Sequence, residues 1–231
     1  MNADLDGKST SRSDGKRSKG KESAYRNGTT HKRELVDFVL TDIHPHIPAW
    51  QAACAQSPNL HYVSSSVDAG NAPQNILELA GIPTSQAQDK KIFRLFSLAF
   101  HHLDDDTAAK VLENTLATSS GFAILELQDR TVESILTILS IGPLMWLGSW
   151  YWFWGDWTHL FWTYIIPVLP FVLVFDGLVS SLRTRNEMEI FRLMKGKVEG
   201  TDGKGWRFES GKRQHTVGIG EMGYFIGVKE E

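Results

Sequence analysis

Between Arg130 and Arg183 lie fifty-two consecutive residues, Thr131 to Leu182, without a Lys or Arg. Within them Ile135 to Trp154 is a nearly unbroken apolar run of twenty residues. As a helix rising about 1.5 Å per residue, that run spans about 30 Å, the thickness of a bilayer's hydrocarbon core. Gly155 to His159 then form a polar break. Sixteen apolar residues follow, Leu160 to Phe175, interrupted by Pro167 and Pro170. This second run reaches only about 24 Å as a helix, a marginal span.

Basic residues flank both ends of the interval: Arg130 before it, and Arg183, Arg185, Lys195 and Lys197 after it. The turn between the runs has none, so the positive-inside rule predicts a membrane hairpin with both ends, and the domain they join, facing the cytosol. Six of the eight tryptophans (Trp146, Trp150, Trp152, Trp154, Trp157 and Trp162) gather near the turn, where amphipathic rings suit the far membrane interface. The competing reading is a pair of core or interfacial helices in a soluble protein.

The flanks read as an α/β domain. Residues 1–34 hold nine Lys/Arg and four Asp/Glu within their first thirty-three positions, with almost nothing apolar beyond Leu5 and Tyr25, and predict a disordered basic tail. Leu35 to Leu40 is a short apolar strand ending in Thr41 and Asp42, and Pro48 opens a helix over Ala49 to Ala55. A second strand, Leu60 to Val67, ends in Asp68. A third, Ile92 to Phe100, runs into His101 and His102. Asp105 or Asp106 caps a helix striped by Ala108, Val111, Leu112 and Leu116, and Phe122 to Leu127 form a fourth strand. This alternation predicts a parallel sheet covered on both faces over 35–129. The interval 130–182 then forms the apolar hairpin, and 183–231 complete the core with a helix at Glu187 to Met194 and an antiparallel pair containing Trp206, Phe208, Tyr224, Phe225, Ile226 and Val228.

Gly218, Gly220 and Gly223 match G-x-G-x-x-G, but the eight residues after Gly223 leave no room for the helix such a phosphate loop requires. Cys54 is the only cysteine, so no intrachain disulfide or cysteine-based zinc cluster forms. A net charge of −3 gives no case for nucleic acid as a partner.

The order of elements, with the strings AFHHLDD from Ala99, FAILELQDR from Phe122, TYIIPVLPFVLVFDGLVSSLRTR from Thr163 and GYFIGV from Gly223, resembles a fungal and bacterial group of class I S-adenosylmethionine-dependent methyltransferase-like proteins. The resemblance covers 35–128 and 186–229. It implies a Rossmann-like sheet with a terminal β-hairpin, S-adenosylmethionine as cofactor, and a small-molecule or lipid-like methyl acceptor beside the membrane. It also implies that Asp42 binds the cofactor's ribose hydroxyls and that Asp68 lies near the adenine. His101 and His102 then fall near the transferred methyl group, lining the substrate pocket or acting as a base. Read from the residues alone, Asp42 is better explained as a turn or helix cap, and one histidine is equally a core residue bonded to backbone.

The family's first strand and its E/D-x-G-x-G loop have no counterpart between Met1 and Leu35. In the family's sheet that strand is central, between the strands corresponding to Val36 to Leu40 and Ile92 to Phe100. The expectation is therefore a methyltransferase sheet lacking its first strand, with activity impaired. The alternative is a non-enzymatic membrane or scaffold protein.

Overall fold

The computed structural model describes residues 36–87, 90–195, 205–216 and 220–230. The basic tail, Lys197 and Gly218 lie outside them. The fold is mixed α/β with two sheets. Strands β1 (Phe38–Leu40) and β2 (Leu60–Tyr62) form a parallel pair, with Phe38 opposite Leu60 and Leu40 opposite Tyr62. Strands β3 (Phe93–Ser97), β4 (Gly121–Glu126), β5 (Trp206–Thr216) and β6 (Gly220–Lys229) form a second sheet in the order β3-β4-β6-β5. There β3 and β4 run parallel, and β6 runs antiparallel to both its neighbours.

Helix α1 (Ile47–Cys54) carries Pro48 in its first turn and sets Trp50 edge-on to Tyr62 of β2, with ring centroids 6.2 Å apart. The link from β2 to β3 holds only a 3-10 turn (Ala69–Asn71) and two four-residue helices, α2 (Ile76–Leu79) and α3 (Thr84–Ala87). Helix α4 (Asp105–Thr118) follows β3, and α8 (Glu187–Met194) precedes β5.

Period-two alternation sorts the larger sheet into two faces. In-register partners share a face, so Phe96, Ile124 and Phe225 line one side. Together with Phe122 they meet the α4 stripe of Ala108, Val111, Leu112 and Leu116 and the α8 residues Ile190 and Met194. Phe122 is fully buried, with the rings of Trp206, Phe208 and Phe225 centred 5.9, 6.4 and 6.1 Å away. Gly227 lies opposite Phe122, and a Cβ there would come within 2.5 Å of its ring, so only glycine fits.

Three sequence expectations are corrected. The edge strand β3 is covered on one face, not both: Phe93 and Leu95, which point away from α4, are more than half exposed, because the β2–β3 link supplies no long crossover helix, although Ala123 on the same face of β4 is buried. The cap of α4 is Asp104, not Asp105 or Asp106. Its carboxylate accepts the Thr107 N–H at 2.8 Å, while the next two aspartates occupy the first turn, where negative charge complements the helix dipole. The strands are also shorter than read, since β1 begins at Phe38 and β2 ends at Tyr62.

The hairpin consists of α5 (Val132–Trp152), then α6 (Trp157–Leu160) continuing into a π-helical turn (Phe161–Ile165), then α7 (Val168–Arg183). The last two pieces meet at 68° across Pro167, whose ring breaks the ladder. Small residues let α5 and α7 approach: a Cβ on Gly142 would sit 3.0 Å from Val174, and one on Gly177 2.9 Å from Ile138. The Tyr164 hydroxyl is spliced into α5, accepting from the Trp150 N–H at 2.9 Å and donating to the Trp146 carbonyl.

Replacing Phe122 by Ala removes the ring shared by β4, β5 and β6 and is expected to cost about 3–5 kcal/mol. Thermal unfolding of the purified variant against wild type measures it.

Candidate functional site

The chemically capable side chains that follow the parallel strands fall into two groups, Asp42 and Asp68 beside the β1–β2 pair and His101, His102 and Glu126 after β3 and β4. Asp42 follows β1 and is exposed; its Oδ1 accepts the His44 N–H at 2.7 Å, closing a local turn. Asp68 is also exposed, and its Oδ1 accepts the Gly70 N–H at 2.8 Å, capping the 3-10 turn. The two loops touch: the Val67 N–H donates to the Asp42 carbonyl at 2.9 Å and Ser66 Oγ to the Ile43 carbonyl at 2.7 Å. Each carboxylate therefore has one oxygen engaged in its own loop, and both loops sit at one end of the β1–β2 pair.

Beyond β3 the backbone reverses at Leu98, whose φ of 55° is the one positive value at a non-glycine among the described residues. A side chain in this region costs about 1–2 kcal/mol and is commonest where a site dictates the backbone path. The reversal leads into a 3-10 turn (Phe100–His102) in which the histidines take opposite roles. His101 is buried, with its Nδ1 2.7 Å from Glu126 Oε2 and its backbone N–H donating to Glu126 Oε1 at 3.1 Å. His102 is exposed, its ring centroid 4.1 Å from that of His101. A carboxylate on Nδ1 fixes the imidazole orientation and tautomer, leaving Nε2 as the nitrogen able to take or release a proton.

Glu126 is the residue that sequence reasoning missed. It ends β4, is 5 % exposed, and engages both its oxygens with His101. Its signal was a carboxylate on an otherwise apolar strand, which folding tolerates only with a partner. Among the described residues, no three His, Cys, Asp or Glu side chains converge as a metal site would require.

The hairpin base adjoins this end of the sheet. Arg183 donates to the His102 carbonyl at 2.9 Å. Arg185 lies over the Phe100 ring, donates to the Phe100 and Leu103 carbonyls at 3.1 and 2.7 Å, and pairs with Asp105 at 2.8 Å. Arg130 donates through Nε to the Leu182 carbonyl at 2.9 Å and through Nη1 to Glu189 at 2.8 Å, joining the two ends of the hairpin to α8. Glu189 completes a capping box with Asn186, whose backbone N–H, followed by Arg130, holds the Glu189 carboxyl below its ordinary value of 4.5. A depressed carboxyl pKa stabilises the fold above the unfolded value, and that stabilisation fades as pH falls through the folded one. The clamp is therefore weakened by acid.

Away from the base the hairpin is open. Leu144, Leu147, Tyr151, Trp152, Trp154, Trp157, Ile165 and Phe171 are each about two-thirds exposed or more. On α5 only Ile138, Gly142 and Ser149 are buried.

Glu126→Ala strands the two buried donors of His101 and is expected to lower stability by about 1–3 kcal/mol per unpaired group, whereas His102→Ala stays within about 0.5 kcal/mol. Leu98→Gly relieves the reversed backbone and is expected to raise stability by about 1 kcal/mol. Thermal melts of the three variants read both effects. No family model matches this chain, and no curated protein shows significant similarity to it.

Proposed function

We propose that this chain is a membrane-associated, methyltransferase-like α/β protein whose hairpin lies in the bilayer and whose sheet lacks one central strand. Strand order carries the reading. If a single strand position separates β1 from β3, the whole sequence of strands becomes β2-β1-gap-β3-β4-β6-β5, with β1 and β2 parallel to each other, β3 and β4 parallel to each other, and β6 antiparallel to both its neighbours. That is the order of the class I methyltransferase sheet with its first strand left out. In a sheet of that order, Asp42, Asp68, His101 and His102 belong to the carboxyl ends of the strands, where such sheets bind ligands.

The exposed faces of α5 and α7 support the membrane half. A soluble core helix is covered by its own protein, but here the large apolar side chains point outward. At 21 residues α5 is about 32 Å long, enough to span hydrocarbon. The exposed Asp176 lies seven residues before Arg183 on α7, about 10 Å along the axis, within reach of a headgroup layer in which Arg183 sits.

The fit to S-adenosylmethionine is partial. Asp42 and Asp68 each keep a carboxylate oxygen for the ribose and adenine end. For the methionine end the described residues offer no glycine loop after a central strand, so no transfer step is assigned to them. The same observation, with His101 already engaged by Glu126, favours the second reading, a non-enzymatic membrane or scaffold protein.

Two measurements test the proposal. Carbonate washing of membranes is expected to leave the full-length protein in the pellet; recovery in the supernatant would remove the integral hairpin. Calorimetry on the detergent-solubilised chain is expected to show no micromolar binding of S-adenosylmethionine. Loss of several charge-assisted hydrogen bonds at about 1.5–3 kcal/mol each can erase a micromolar affinity of about 8 kcal/mol. Micromolar binding that disappears in Asp42→Ala would identify a working cofactor site and retire the scaffold reading.

A further inference from the structure

We infer that the arginine-lined cleft at the hairpin base is a binding site for the phosphate of an anionic lipid headgroup. The cleft, of about 370 Å³, is lined by Arg130, Arg183, Arg185 and Arg192, with Asp104, Asp105 and Glu189 as its carboxylates. Four separate places in the chain supply the guanidinium groups: the loop before α5, the last residue of α7, the α7–α8 link and the last turn of α8. Convergence from such separated places is not a by-product of one helix face.

The roles within the cluster are unequal. Arg185 is structural: its side chain is 9 % exposed, and its donors serve Phe100, Leu103 and Asp105. Glu189 has both oxygens engaged, one with Arg130 and the other with the Asn186 N–H. Asp104 accepts from Thr107 at the head of α4 and keeps its negative charge, which Arg183 offsets at a distance. The one positive charge left over is shared by Arg183, whose hydrogen bond is to the neutral His102 carbonyl, and Arg192, whose side chain has no partner among the described residues. Both are exposed. Two exposed guanidinium forks with no hydrogen-bonded carboxylate among the described residues, backed by a third already fixed in place, suit a phosphate, because the planar fork pairs bidentately with its oxygens.

Position selects the source of that phosphate, an argument that rests on the bilayer reading of the hairpin. Arg130 immediately precedes Thr131, the cap of α5, and Arg183 ends α7, so the cleft opens where the apolar helices leave the α/β part. With the helices in hydrocarbon, that level is the headgroup plane, where basic pockets between helices collect anionic lipids. A lipid phosphate is already concentrated there, whereas a free phosphate must come from solution.

The test uses full-length protein in mild detergent, titrated calorimetrically with dihexanoyl phosphatidic acid, dihexanoyl phosphatidylcholine and inorganic phosphate. Phosphatidic acid is expected to bind at least tenfold more tightly than either of the others. Arg192→Gln, which breaks no contact among the described residues, is expected to weaken that binding about tenfold, as loss of one charge-assisted pair does, and Arg183→Gln to weaken it further. Arg213→Gln, on β5 and outside the cleft, leaves it unchanged. Inorganic phosphate binding as tightly as the lipid, with the same arginine dependence, would overturn the lipid assignment in favour of a soluble anion. Absent lipid binding, or binding indifferent to both substitutions, would overturn the site. Carbonate extraction of the same protein judges the hairpin separately, since short-chain lipid reaches the arginines with or without a bilayer.

Discussion

The aromatic cluster around Phe122 is the contact on which the α/β part closes. The chain leaves the sheet at Glu126, makes the whole hairpin excursion, and returns only at β5 and β6. What brings β6 back beside β4 is a ladder ending in the Lys229 N–H donating to the Ser120 carbonyl at 2.9 Å, together with Phe225 and Phe208 packing on Phe122. Burying such rings contributes about 1.5–3 kcal/mol each, and their mutual geometry adds about 0.5–1.5 kcal/mol per pair. Phe191 of α8 sets its ring edge-on to both Phe208 and Phe225 at 5.4 and 5.3 Å, so the helix following the hairpin is fixed by the same cluster.

A second layer of contacts ties the hairpin to the candidate site. Arg183 and Arg185 donate to carbonyls of the turn that holds His101 and His102. Carbonyls of such a short turn have few intrahelical partners, and guanidinium groups satisfy them. The geometry of the histidine turn is therefore set from both sides, by Glu126 on β4 and by the arginines at the end of α7. Any shift of α7 reaches His102 through one hydrogen bond.

Where periodicity was strong, sequence and structure agree closely. The stripe Ala108, Val111, Leu112 and Leu116 is buried as its spacing predicts, the helix at Glu187 to Met194 has those bounds, and the apolar hairpin forms with its break at the polar turn. The divergences have physical sources. Val63 and Val67 frame three serines that read as a continuation of the strand, yet pairing requires a neighbour, and β1 and β2 have only each other. Asp104, Asp105 and Asp106 are equivalent as letters; only the backbone path decides which carboxylate meets the Thr107 N–H. Asp42 and Asp68 were read from the ends of apolar runs, and the structure sets Asp68 six residues beyond the end of β2. Glu126 carried a signal as a carboxylate on an apolar strand, but its partner twenty-five residues away was not legible. Arg130, Arg183 and Arg185 were visible as flanking charges, but Arg192 and the convergence of all four were not, since α8 contributes Arg192 by folding back.

The Tyr164 hydroxyl fastens the second limb of the hairpin to the first. It accepts from the Trp150 N–H and donates to the Trp146 carbonyl, so a side chain of one limb is tied to the main chain of the other, fourteen and eighteen residues away. A bond to main-chain atoms does not depend on which side chains stand at those two positions. Substitution of either tryptophan can therefore alter the aromatic face of the tip and leave both partners of the latch in place.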